Sequence, residues 1–235
     1  MARLGDPYAY TERSSGMAVI HRTELKPTKL ELLAEWLPSR SWYLGTGEPE
    51  LAKAGGFRLD DPEGEVGIEF MVVTDTSRRE AMAYLVPMTY RAAPLDGAES
   101  ALVGTLEHGV LGKRWVYDAC HDPVAVAQLC AVIRGKVQAQ AQSLSDTPDL
   151  EVACSYDGDG RVLGDTVAAA DDAEGTVLTA EDGPALRLHR VLLQAADGVG
   201  VCPEGAVGHL ASAWEASDGT RVRGVFAEVR AEDSA

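Results

Sequence analysis

KRWVYDACHDP occupies residues 113–123 and sets Cys120, His121 and Asp122 side by side. Two readings compete for it. One is a reactive cluster. The other is a strand, a sharp corner and the start of a helix. Catalytic side chains must converge within hydrogen-bond reach, ~3 Å, and usually come from distant segments. Neighbours at a strand end project in different directions. Asp is also a favoured helix N-cap, and proline suits the first helical position. The structural reading therefore takes Asp122 as a cap and Pro123 as the first residue of a helix. A metal site would want His or Cys at i, i+4 or in paired clusters, whereas His21, His108, His121, His189 and His209 are scattered. No catalytic residue, metal ligand or cofactor is expected.

Working outward, Val126, Leu129, Cys130, Ile133 and Val137 mark the buried face of that helix. It is expected to run to the stop at SLSDTPD, 143–149. An earlier helix starts after Pro27. Thr28 and Glu31 have capping-box spacing, and Leu30, Leu33, Trp36 and Leu37 form one apolar stripe. Pro38 ends it. Residues 17–22 read as a short strand, and another is expected near AGGFRL (54–59). Runs at 65–75, 80–91, 100–109 and 112–119 alternate with turns and predict an antiparallel meander. Pro87 cannot donate to a ladder, so its strand is expected at an edge or at a bulge.

Three segments follow: a polar extension (1–16), an α+β domain of curved antiparallel sheet with two main helices (17–148), and a β-rich, acidic C-terminal module (149–235). In the last, GTVLTA, PALRLHRVLL, AVGHLASAWEA and TRVRGVFAEVR read as strands, with DGDG, AEDG and SDG as turns.

The net charge of −16 argues against nucleic acid, which needs a basic footprint, and against anionic lipid. Apolar residues at 46 % suffice for a core. The amino-terminal stretch carries no apolar h-region. The four cysteines include no CxxC pair. Reduced thiols in a cytoplasm are the expectation.

EWLPSRSWYLG (35–45), YLVPMTYRAAPL (84–95) and VYDACHDP (116–123) occur in that order. Together they resemble the N-terminal cap domain of actinobacterial maltokinases, over roughly residues 19–145. Those enzymes phosphorylate maltose for glucan synthesis, and the cap precedes a kinase-like fold. The resemblance implies a cystatin-like sheet with helices. It departs from the family pattern at Ser41 and Thr46, where the kinases carry Arg and Lys. A kinase needs a phosphate-binding lysine and catalytic and metal-binding aspartates. After residue 149 there is no lysine, and no such pattern is found.

The implied function is a non-catalytic binding or regulatory protein of maltose and glycogen-type glucan metabolism. It would act through a kinase or glucan-enzyme partner, or pair with itself through an edge strand. The alternative is a small-molecule or glucan-binding protein with weak glucan-directed activity. Trp36, Arg40, Trp42, Tyr43, Arg91, Tyr117 and His121 are the candidate contacts; Thr28 and Asp122 are structural caps. Aromatics here serve a core, a partner surface or a sugar platform. Arg91 is expected to pair with Asp118 or Asp122. DGDGR (157–161) lacks the remaining ligands of a calcium loop and reads as a turn. GTGEPE (45–50) reads as a surface loop, and Asp60–Asp61 and Asp171–Asp172 read as solvated pairs.

Overall fold

The computed structural model describes residues 25–142, 147–158, 160, 162–163, 167–181, 183–196, 198 and 200–231. The extension at 1–16, the strand expected over 17–22 and part of DGDGR lie outside them. Two α-helices are described, α1 (Lys29–Trp36) and α2 (Pro123–Ile133). The first strands are β1 (Leu25–Lys26), β2 (Leu51–Leu59), β3 (Gly67–Asp75), β4 (Met82–Arg91), β5 (Leu102–His108), β6 (Gly112–Asp118) and β7 (Gln140–Ala141). The later ones are β8 (Ala153–Tyr156), β9 (Ala168–Asp171), β10 (Gly175–Thr179), β11 (Ala185–His189), β12 (Val191–Leu192), β13 (Ala206–Glu215) and β14 (Arg221–Arg230). All join one antiparallel sheet. The α+β class with two helices is as the sequence predicts.

Helix α1 starts as its sequence dictates. The Glu31 N–H donates to Thr28 Oγ1 at 3.3 Å, and the Thr28 N–H donates to Glu31 Oε2 at 2.7 Å. Both orphan donors are thereby satisfied. Leu32, Leu33 and Trp36 are its buried residues. At Pro38 the chain tightens into a 3-10 turn, Leu37–Ser39, and leaves the helix.

Helix α2 is shorter than its apolar pattern suggests. It ends at Ile133, and Gly135 follows with φ 65°. The Gly135 N–H donates to Val132 O and the Lys136 N–H to Ala131 O, both at 2.9 Å. This is the Schellman ending, for which glycine in the left-handed region is the usual residue. Val137 is therefore outside the helix and exposed. The glutamine-rich flank turns back as β7, which pairs with β2.

The expected meander holds for β2, β3 and β4 and then breaks. The neighbour of β4 is β6, not β5, and β5 lies outside β6. Nor is β4 an edge. Beyond β3, it pairs with β12 at Ala83–Tyr84 and with β6 at Met88–Arg91. Pro87 sits in the gap between those two partners. Residues 85, 87, 89 and 91 turn their amides to that side, as Leu85 shows by donating to Arg190 O at 2.9 Å. The missing N–H falls where no acceptor waits, which is how an interior strand accommodates a proline. The route to self-pairing through a free β4 edge is closed.

The second pairing of β4 also closes the sheet on itself. Pairings run from β4 through β3, β2, β13 and β14 to β11, and β12 returns to β4. The larger core lies inside this circuit. It joins Leu129 and Ile133 of α2 to Phe57, Phe70, Leu188 and Phe226. Helix α1 covers a second core on the opposite face, with Trp42, Val73, Val86 and Val116. Strands β3 and β4 contribute to both, which explains their nearly unbroken burial.

The thinnest join in the circuit is between β2 and β13, where Gly55 lies opposite Trp214. A bulge between Lys53 and Gly55 bends β2 there. Gly56 has φ 124°, and a Cβ on it would stand 2.1 Å from Phe70 O. Gly56→Ala is expected to lower the unfolding free energy by ~2 kcal/mol or more, from backbone strain and the clash with a fixed carbonyl. Chemical denaturation checks this; an unchanged midpoint would show that the bulge has room to relax.

Candidate functional site

Strand β6 ends at Asp118, and Ala119–His121 form a 3-10 turn before α2. Each polar residue of this corner points elsewhere. Asp122 is fully buried, and its Oδ1 accepts from the Val124 N–H at 3.0 Å, capping α2. The same carboxylate takes a two-pronged ion pair from Arg91, with Nε and Nη2 each at 2.7 Å. Cys120 is buried, and burial pushes its thiol far above the ordinary range. His121 is exposed. A buried, protonated thiol beside an outward-facing imidazole is not a nucleophile–base pair.

Asp118 is claimed by a residue that the sequence reading passed over. Arg190, between β11 and β12, is fully buried, and its Nη2 lies 2.6 and 2.8 Å from the Asp118 oxygens. Its Nε donates to Thr176 Oγ1 at 2.7 Å, and Thr176 donates to Asp171 Oδ1 at 2.6 Å. Its guanidinium packs over the Trp42 ring, 5.1 Å from the centroid. Burial alone would favour the neutral guanidine, but Asp118 holds the proton firmly in place. One signal for Arg190 was present in the sequence. Leu186, Leu188 and Leu192 are the inward residues of this stretch, and Arg190 stands in their register.

The aromatic candidates are mostly packing residues. Trp42 is fully buried, Trp36 and Tyr117 nearly so. Trp36 and Trp42 meet edge to face at 5.9 Å. The Tyr117 hydroxyl accepts from the Leu95 N–H at 2.9 Å, pinning the loop after β4. Tyr43 is half-buried and donates to Asp75 Oδ2 at 2.7 Å. Arg40 lies over the Trp36 ring at 4.7 Å. Ser41 donates to Asp172 O in the C-terminal half at 3.1 Å. The structure thus gathers Trp36, Arg40, Trp42 and Tyr43 near α1 and places Arg91 and His121 by the corner.

Of the two acidic pairs, only Asp61 is less solvated than its loop suggests; Asp171 is exposed and the Asp172 side chain is 44 % exposed, as expected. Asp61 is buried and accepts from the amides of Glu63, Glu65 and Val66 at 2.9–3.1 Å. Asp171 takes the Thr176 hydroxyl. Asp172 is held down to about 2 by its hydrogen bond from Arg187. A buried carboxylate on β3, Glu69, gathers Lys29 Nζ at 2.5 Å, Tyr90 Oη at 2.6 Å and Gln142 Nε2 at 2.8 Å. Burial pushes its pKa up, but Lys29 and the hydrogen bonds push it down further, below the usual range.

A concavity lies along the outer side of α2. It has a volume of about 710 Å³, within the ~300–1,000 Å³ usual for small-molecule sites. Val126, Cys130 and Ala131 line it on the helix, and Val162, Leu163 and Val167 on the far wall. His121 stands at one end of the helix; Arg134 and Lys136 stand at the other. Burial lifts the Cys130 thiol to about 11, with Arg134 pulling the other way. Of the sequence candidates, only His121 lines this cleft.

Residues 36–122 match the maltokinase N-terminal cap domain family. The matched stretch is a little over a third of the chain and ends at Asp122, the cap of α2. It is narrower than the 19–145 suggested by the motifs. It contains β2 through β6 and the Trp36–Trp42 pair, but not Arg190.

Asp122→Ala is expected to destabilise the fold by about 2–3 kcal/mol. Loss of the cap accounts for ~1 kcal/mol, and loss of the Arg91 pair for the rest, discounted because Arg91 can turn to water. Urea denaturation measures it; a loss of only ~1 kcal/mol would mean that the ion pair adds nothing beyond the cap.

Proposed function

We propose that this protein is a non-catalytic, cystatin-like cap module of maltose and storage-glucan metabolism that acts by docking on a kinase or a glucan-acting enzyme. The match of residues 36–122 to the maltokinase cap domain carries this reading. The corner geometry supports its non-catalytic side. The reactive residues of the third motif are taken up by structure: Cys120 is buried and protonated, and Asp122 is fixed between a helix cap and Arg91. The buried Trp36 and Trp42 offer no open ring face to a sugar. A small-molecule-binding role is the second reading, and the cleft along α2 favours it.

Affinity purification of the tagged protein from its native cells tests the first reading. The expected companion is a maltose- or glucan-acting enzyme whose turnover changes when the pure protein is added back. Recovery of the protein alone, with no effect on such enzymes, would contradict the reading. Stabilisation by maltose or maltodextrin in a thermal-shift series, without any partner, would favour direct sugar binding instead.

A further inference from the structure

We propose that the β5–β6 hairpin is the anchor by which this protein docks on its partner enzyme, seated in an apolar pocket with an acidic rim. The inference rests on the docking role proposed above and names the surface that performs it.

The hairpin stands clear of the sheet. Strand β4 accompanies β6 only from Met88 opposite Asp118 to Arg91 opposite Trp115. Beyond Trp115 the two strands run on together to the turn, with Glu107 opposite Lys113 and His108 opposite Gly112. Among the described residues, only Leu25 and Lys26 of β1 pair alongside this end. The hairpin also falls within residues 36–122, the stretch that matches the cap family.

The tip is apolar and held in one shape. Val110 is 61 % exposed and Leu111 45 %. Among the described residues they are the one adjacent pair of exposed large apolar side chains. Single exposed apolar residues are ordinary, whereas contiguous ones mark contact surfaces. Both amides donate to His108 Nδ1, at 3.2 and 3.1 Å. Gly112 closes the turn with φ 71°. A tip already fixed in shape loses little freedom on docking.

The flank is cationic. Lys113 Nζ lies over the half-buried Trp115 ring, 4.9 Å from its centroid, and Arg114 Nη1 donates to the Lys113 carbonyl at 3.0 Å. Neither cation is in an ion pair among the described residues, whereas Arg91, Arg187, Arg190 and Arg221 each meet a carboxylate. Lys26 of β1 adds a third cation beside Glu107. Tryptophan and arginine around an aliphatic tip are the residue types that anchor interfaces. A cationic flank on a protein of net charge −16 selects an acidic rim.

An anionic bilayer offers the same charge. At physiological ionic strength exposed charges act over ~8 Å, so a partner's pocket meets only the tip. A bilayer is an extended anionic plane and meets the acidic body as well. The charge distribution therefore favours a protein pocket.

Affinity purification of the tagged full chain from its native cells, beside hairpin variants, tests this. The maltose- or glucan-acting enzyme recovered with the wild type is then titrated against each purified variant. Val110→Asp with Leu111→Asp should weaken its binding at least ~30-fold. Lys113→Glu with Arg114→Glu should slow association ~10-fold, with the difference shrinking as salt rises. Leu150→Asp, at an 86 % exposed apolar residue outside the matched stretch, should leave the affinity unchanged. Circular dichroism checks the fold; if the aspartates unfold the chain, Val110→Ser with Leu111→Ser carries the same prediction. Wild-type affinity in the folded hairpin variants would overturn the hairpin anchor and leave the docking role standing. Recovery of no enzyme with the wild type would overturn both. Hairpin-dependent cosedimentation with phosphatidylglycerol vesicles, or a hairpin-dependent dimer in sedimentation equilibrium, would also overturn the proposal, because the tip would then serve a bilayer or a second copy.

Discussion

The ion pair between Asp118 and Arg190 ties the two halves of the chain together. Asp118 ends the strand that leads into the α2 corner, and Arg190 arrives 72 residues later. Both are buried, and Arg190 also packs on Trp42, bonds Thr176 and accepts the Leu85 amide with its carbonyl. Replacing such a pair by apolar side chains can be neutral for stability, whereas removing one partner strands a buried charge. Its structural effect here is positional. It fixes the chain at the point where β11 leaves β14 and β12 reaches β4, which is where the sheet circuit closes.

That closure changes the meaning of the acidic C-terminal half. Its strands extend the sheet beyond β2 and supply Leu188 and Phe226 to the core around α2. They also occupy the side of β4 that a proline would otherwise leave ragged. A cap-like stretch is thereby completed within its own chain. The contact between Ser41 and the Asp172 carbonyl fits the same pattern, because it ties the loop after α1 to the C-terminal strands.

Local features were legible in the sequence. The Thr28–Glu31 box, the Asp122 cap, the Pro38 stop and the strands at 67–75, 82–91 and 112–118 follow from capping chemistry and alternation. Arg91 and Asp122 pair as expected. What the sequence hid was long-range. Nothing near Pro87 announces that β12 will cover one end of its strand and β6 the other. The end of α2 was legible in principle, because Gly135 is the natural residue for a left-handed cap, but the apolar pattern running on to Val137 outweighed it. Arg190 was also visible as a charge in a leucine register. Only the fold, however, identifies its partner. The cleft was beyond reach, since its two walls lie some forty residues apart in sequence.

A double-mutant cycle on Asp118 and Arg190 is the most direct test of the closure. Each single change to alanine should cost about 3–5 kcal/mol in chemical denaturation, because it strands the other charge in the core. The double change should cost less than the sum, with a coupling of at least ~2 kcal/mol. Additivity within ~0.5 kcal/mol would contradict the account, because it would mean that the two halves are held together by something other than this pair.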